Sequence, residues 1–332
     1  MKSAVQPRMQ ETGWLGDTPQ RDYAEKLKLF NVFARPELRE AIDMLAVHAG
    51  SRVLDAGCGT GEAVGWWHES LDGGGWVVGM DLSGAHVRAA HSAASRPTLI
   101  VQGDMLKPPF ANDAFDLIWA INTVNHLHDP VAGVRVLSGL LRPGGRIVVG
   151  QSSLVPDMYF AWDARLETRV NEAVRAYYRE RYGRSEREFA AVRSLAGWLH
   201  QAGLRNVGVR TRMIERTYPL SDADECYLLE CIFRGTWGER LRKYLEPEDF
   251  ATLARLCDPD DECYALHRRD FHFLQSLTFA VGTREEDARY SIAGNAVVGG
   301  RAIPDPEQAV RGHATAFGAT GSAQQGTNQN TG

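Results

Sequence analysis

Residues 53–62 run Val53-Leu54-Asp55-Ala56-Gly57-Cys58-Gly59-Thr60-Gly61-Glu62, with three glycines at alternate positions behind an apolar pair. Glycine accepts positive φ and leaves the backbone bare, so this spacing predicts a tight strand-to-helix turn with a ligand lying against it. A dinucleotide turn reads G-x-G-x-x-G, and Glu62 stands where its third glycine would be. Asp55, two residues ahead of the first glycine, would repel a pyrophosphate but accept a hydrogen bond from an ammonium group. Cys58, between two glycines, reads as a small packed side chain rather than a nucleophile.

Around this turn, short apolar runs alternate with helix-patterned stretches. Val53-Leu54, Trp76–Met80, Leu99–Val101, Phe115–Ala120 and Arg146–Gly150 read as strands, and 62–70, 84–94 and 131–141 as helices. Apolar strands separated by helices build a parallel sheet covered on both faces, a doubly wound α/β fold. Upstream, Tyr23, Leu27, Phe30 and Phe33 recur at helical spacing; Pro36 interrupts, and Leu38, Ile42 and Leu45 resume. Beyond Ser152 the alternation lapses. Residues 157–182 suit a helical insertion, and Ser185–Gly203 a helix opened by a Ser185/Glu188 capping box. Val207–Tyr218 reads as strand, 222–257 as helix and Phe271–Gly282 as a long apolar strand. The segment from Gly312 onward is too poor in apolar residues to offset its ordering entropy, and disorder is expected there.

Acids mark three strand ends. Asp81, followed by Leu82, closes the second run, where such folds grip both hydroxyls of a ribose. Gly103-Asp104-Met105 ends the third, where a short acid can bond an exocyclic amine and an apolar neighbour can cover a purine. Together with Asp55 they describe a nucleoside that carries an amine instead of a phosphate. This set, in this order, resembles the class I S-adenosylmethionine-dependent methyltransferases, and the match runs from about Arg52 to Gln151. Leu141-Arg142-Pro143-Gly144-Gly145 resembles the turn before their fifth strand. The run from Phe115 through Asn122, Asn125 and His126 to Asp129-Pro130 is similar to the fourth-strand segment of the small-molecule branch that includes the ubiquinone and menaquinone biosynthesis enzymes.

The resemblance implies a Rossmann-like, doubly wound sheet of seven mostly parallel strands with helical insertions forming a substrate lid. It implies S-adenosyl-L-methionine as cofactor and in-line methyl transfer to oxygen, carbon or nitrogen of a small apolar or aromatic metabolite. The cofactor residues implied are Asp55, Gly57, Cys58, Gly59, Gly61, Asp81, Leu82, Gly103, Asp104, Met105, Asn122 and Tyr23. His126, just past the fourth strand, is the candidate general base; its plainer role is to hold the loop before Pro130. The chain then divides into an N-terminal helical lid (1–50), a cofactor-binding core (51–152), a remainder of sheet and helical insertions forming the acceptor pocket (153–284), and a disordered tail (285–332).

Composition narrows the partners. Among 332 residues, 37 Lys+Arg against 42 Asp+Glu give a net charge of −5, without the global basic field that non-specific nucleic-acid binding needs. The arginines between Arg165 and Arg187 are interleaved with Glu167, Glu172, Glu180 and Glu186, which suits a salt-bridged face. Five cysteines without a C-x-x-C pair point to a reducing, cytoplasmic setting and to no metal site. No apolar run approaches the ~18–20 residues of a membrane span, and the polar first 20 residues do not read as a signal peptide. The expected partner is a small-molecule methyl acceptor, with a homodimer open and neither membrane nor nucleic acid expected. The aromatics between Tyr159 and Tyr178, with Trp237, suit core packing and an acceptor pocket equally. Two other functions stay open: a cofactor-binding scaffold that transfers nothing, and a macromolecular methyltransferase using the arginine stretch.

Overall fold

The apolar runs form the strands β1 (Arg52–Ala56), β2 (Trp76–Asp81), β3 (Leu99–Gln102), β4 (Phe115–Ile121) and β5 (Leu141–Ser152), which pair in parallel in the order β3-β2-β1-β4-β5. The protein is seen here in a computed structural model that describes residues 23–94, 98–153, 157–159, 162–183 and 191–285. The Ser185/Glu188 capping box and the tail beyond residue 285 lie outside the described residues. β5 starts earlier than the sequence suggests: Leu141 already pairs with Phe115, and Arg142 to Gly145 loop out before Arg146 meets Leu117.

Three more strands complete the sheet through antiparallel pairings to β8, which alone runs against the others. β8 (His272–Thr283) pairs along its whole length with β7 (Arg205–Thr217); its other side takes β5 and then the three-residue β6 (Asp157–Tyr159). β5 and β6 thus occupy one lane, so eight strands fill seven positions. Among the described residues β7 forms one outer edge of the sheet and β3 the other.

Helices cover both faces. One face carries α1 (Ala24–Phe33), α2 (Arg35–Asp43) and α3 (Glu62–Ser70), with Phe33, Ile42 and Trp67 packing on Val53, Leu117, Trp119 and Val148. The other carries α5 (Pro130–Leu140) and α7 (Leu195–Gln201), whose Leu137 and Leu199 pack on Leu54, Ile118, Ile147 and Val149. Successive strand residues alternate between these two cores, as the strand pleat requires. α4 (Gly84–Ala93) follows β2, its start capped by Ser83 Oγ, which accepts from the His86 N–H.

The insertions are tied to α1. The run 222–257 is not one helix: it breaks into α8 (Asp222–Tyr227), a π-helical turn Leu228–Thr236, a 3-10 segment Glu239–Tyr244 and α9 (Pro247–Leu256), punctuated by Gly238 and by Pro247 at the start of α9. Tyr227 of α8 stacks on Phe33 of α1 at 4.1 Å, and Arg216 of β7 lies over the same Phe33 ring at 4.8 Å. α6 (Ala164–Tyr182) is held by Asp249 of α9, a buried acid that takes Arg165 at 2.9 Å and Arg169 at 2.6 Å. Trp237 is stacked between Trp162 and Phe233, so these aromatics serve packing.

Candidate cofactor and active site

The three glycines of the turn all carry positive φ: +83° at Gly57, +52° at Gly59 and +87° at Gly61. Gly61 is the left-handed residue from which α3 starts. The N–H groups of Gly57 and Cys58 both donate to Met80 O, at 2.7 and 3.0 Å, which locks the turn onto the end of β2. A Cβ on Gly57 would stand 2.2 Å from Thr123 Cγ2 and one on Gly59 2.9 Å from Leu27 Cδ1. Gly57→Ala is therefore expected to cost about 3 kcal/mol, left-handed strain plus collision, read as a lower urea midpoint.

Above this turn lies a cavity of about 100 Å³ lined by Tyr23, Leu27, Phe30, Asn31, Asp55, Gly57, Cys58, Gly59, Trp66, Asp81, Trp119, Ile121, Asn122, Thr123 and His126 among others. It sits at the carboxyl ends of β1, β2 and β4, where open α/β sheets bind ligands. Its roof is α1. Its volume is below the ~300 Å³ at which ligand pockets begin.

The cavity is electronegative at its base. Asp55 is 3% exposed, and its Oδ2 is buried without a hydrogen-bond partner. Burial, then the nearby Asp81 and Glu62 carboxylates, push its pKa up to about 8. The same burial, beside Asp55 and Asp81, pushes the Cys58 thiol well up, which keeps it protonated and inert. Glu62, in the first turn of α3, accepts from Thr60 Oγ1 at 2.6 Å and from Asn31 Nδ2 of the lid at 2.7 Å. Asp55 and Asp81 line the cavity and Glu62 stands close enough to act on Asp55, a grouping of acids that favours a cationic occupant.

Asp81 is the node between the turn and the start of α1. Its Oδ2 accepts from the Gly59 N–H at 2.9 Å, and its Oδ1 from the Ser83 N–H at 2.8 Å. His86 Nδ1 lies 3.2 Å from the same Oδ1 and its Nε2 lies 3.4 Å from the Tyr23 backbone nitrogen. Since Tyr23 N–H can only donate, Nε2 accepts and Nδ1 carries the proton, an assignment made from the network. The Tyr23 ring meets the His86 ring edge-on at 4.6 Å. His86, 2% exposed, was not legible in the sequence as a site residue; the one signal was a histidine in the first turn of the helix after Asp81.

Other sequence candidates are distributed less tightly. Asn122, at φ +54°, lines the cavity but spends its Oδ1 on the Ser152 N–H at 2.8 Å, fastening β4 to the end of β5. His126 lines the cavity half-buried, on the short 3-10 turn Val124–His126. Leu82, Gly103, Asp104 and Met105 stand at the neighbouring strand ends, outside the lining. Asp104 is exposed and its Oδ1 accepts from the Leu106 N–H at 2.8 Å. Among the described residues none of 153–284 lines the cavity; the insertion approaches it through Tyr227, whose ring lies 6.0 Å from Phe30. Among the described residues no group of three or more His, Cys, Asp or Glu could hold a metal ion, and no helix is long and apolar enough to cross a membrane.

Residues 54–149 match the family described as a methyltransferase domain. The chain is 33% identical over 180 residues to a demethylmenaquinone methyltransferase of Beutenbergia cavernae, covering 52% of this chain and 73% of that protein. It is 32% identical over 118 residues to the 27-O-demethylrifamycin SV methyltransferase of Amycolatopsis mediterranei, covering 34% of this chain and 43% of that one, less than half its length. Nocamycin O-methyltransferase of Saccharothrix syringae is 29% identical over 238 residues, 67% of this chain and 81% of the relative.

Proposed function

Since the chain belongs to the class I S-adenosylmethionine-dependent methyltransferases, we propose that it binds S-adenosyl-L-methionine in the cavity under α1 and methylates a small apolar or aromatic metabolite. The observation that carries the reading is the orphaned, buried Oδ2 of Asp55 beneath a glycine turn, with Asp81 and Glu62 beside it. A dinucleotide phosphate has no use for that cluster, whereas an ammonium group satisfies it. When bound, the cofactor supplies an activated methyl on a sulfonium and leaves as S-adenosylhomocysteine.

The chain's own residues then do the following. Asp55 holds the ammonium, and Gly57, Cys58 and Gly59 let the ligand lie against the backbone. Asp81, anchored to Gly59, would hold the ribose, and Gly103, Asp104 and Met105, with Leu82, would cover the purine. Tyr23 and Phe30, Trp66 and Trp119 exclude water from the reacting end. His126 takes the acceptor's proton where the acceptor has one to lose. Relatives named for small-molecule acceptors support a small metabolite. Against a nucleic acid stands the use of Arg165 and Arg169 on Asp249. A cytoplasmic protein is the reading that five free cysteines support, and any homodimer would pair most readily along the β7 edge.

Calorimetry with S-adenosylhomocysteine tests the binding half: no heat at high micromolar ligand ends the proposal. Transfer of labelled methyl to a small-molecule extract tests the chemical half, and binding without transfer would favour the scaffold reading. His126→Ala should keep its S-adenosylhomocysteine affinity and lose about 100-fold in turnover; undiminished turnover removes the base.

A further inference from the structure

A second cavity, of about 330 Å³, lies on the same face of the sheet as the lid but under α2, toward the amino end of β5. Its walls are apolar: Trp119, Val148, Phe279 and Val281 from the sheet, with Met44 and Leu45 following α2. Its charges are Arg146, Arg210 and Arg212, and no acidic side chain lines it among the described residues.

That imbalance has a structural origin. Arg210, Arg212 and Arg216 share this face of β7, with Ile214 between the last two, and α2 offers acids one turn apart. Glu37 takes Arg216 at 2.7 Å and Glu40 takes Arg212 at 3.1 Å. The ladder then ends. The Arg210 side chain makes no hydrogen bond or ion pair with the described residues, Arg212 Nε is buried without a hydrogen-bond partner, and the Arg146 side chain donates only to the carbonyl of Leu45, at 2.7 Å. A buried guanidinium nitrogen without an acceptor costs free energy that an anionic ligand would recover. Apolar walls beside it demand that the anion carry an apolar body, and the volume suits a ligand of one or two rings.

We propose that this cavity is a binding site for an amphipathic carboxylate, its carboxylate held by Arg210 and Arg212 and its apolar body against Trp119 and Phe279. The site is separate from the cofactor cavity, which no arginine lines, but the two share the Trp119 ring as a wall. An occupant therefore touches the side chain that closes the back of the cofactor site.

The test is calorimetry of the full chain with 2-naphthoate, with neutral 2-naphthamide as its control. Saturable naphthoate binding is expected, with naphthamide at least about tenfold weaker, the loss of a charge-assisted contact. Arg210→Gln, which breaks no contact, should weaken naphthoate about tenfold. Gly208→Leu should abolish binding, since a Cβ there meets nothing within 4 Å and the longer side chain fills the cavity. S-adenosylhomocysteine affinity should stay within about twofold in Arg210→Gln. No saturable naphthoate binding at millimolar ligand, equal binding of naphthamide, or unchanged binding in Arg210→Gln would each overturn the proposal. Should Gly208→Leu fail to fold, the exposed Arg210 variant still decides.

Discussion

Asp55→Asn is expected to abolish measurable S-adenosylhomocysteine binding while making the empty protein more stable. The two effects have one cause. In the empty site burial and two neighbouring carboxylates hold the Asp55 pKa up at about 8, against an ordinary 3.8. An acid whose pKa is raised on folding contributes stability that is complete below its unfolded value and is lost as pH rises toward its folded value. Stability of the wild type should therefore decline from about pH 4 to about pH 8, at up to ~1.4 kcal/mol per unit, and then level off. An asparagine has no proton to lose, so the variant should lack this slope and unfold at a higher temperature at pH 7.5. A ligand ammonium needs the ionised carboxylate, so the same substitution should cost at least about 100-fold in affinity.

The same shift predicts a proton release. At pH 6.5 most Asp55 side chains in the empty protein are protonated, and binding ionises them. Titrations in phosphate and Tris, which differ in ionisation heat, should show release approaching one proton, absent in Asp55→Asn. Affinity should rise with pH until about pH 8, where Asp55 is ionised without help and the free ligand's own ammonium begins to titrate. Buffer-independent heats would mean that Asp55 does not meet the ammonium.

What could be read from the chain follows the range of the interactions. The turn was legible because positive φ at Gly57, Gly59 and Gly61 is a local demand that one residue type meets. β7 was legible because its residues alternate over a long stretch, and β8 because its apolar run is long. β6, three residues in a lane completed by β5, leaves no pattern to read. The break of 222–257 carries local marks in Gly238 and Pro247, but Tyr227, Phe233 and Trp237 pack on Phe33, Tyr264 and Trp162, partners distant in sequence that no local pattern announces. At the site, Asp55 and Asp81 announce themselves by position beside the turn, whereas the Glu62 bond to Asn31 and the Tyr23 bond to His86 join residues 31 and 63 positions apart. Such contacts exist only once the lid has docked. Asp104 shows the converse: a well-placed acid whose recorded hydrogen bond is to its own turn.

The Asp81–His86–Tyr23 chain carries the other large prediction. Asp81→Ala is expected to cost about 100-fold in S-adenosylhomocysteine affinity, because it removes the ribose acid and also frees the Gly59 N–H from its acceptor. His86→Ala leaves Asp81 bonded to Gly59 and Ser83 but cuts the tie from Asp81 to Tyr23. Its signature should be kinetic: S-adenosylhomocysteine should dissociate about tenfold faster, while the unfolding midpoint of the empty protein falls little. Hydrogen exchange at Lys26 and Leu27, whose N–H groups bond to Tyr23 O, should quicken in the complex. The double variant separates the two roles. If His86 acts by holding the lid to Asp81, Asp81→Ala should already forfeit most of what His86 contributes, and the two losses should sum to well over the loss in the double variant. Additive losses would mean that His86 packs against Tyr23 without coupling the lid to the acid.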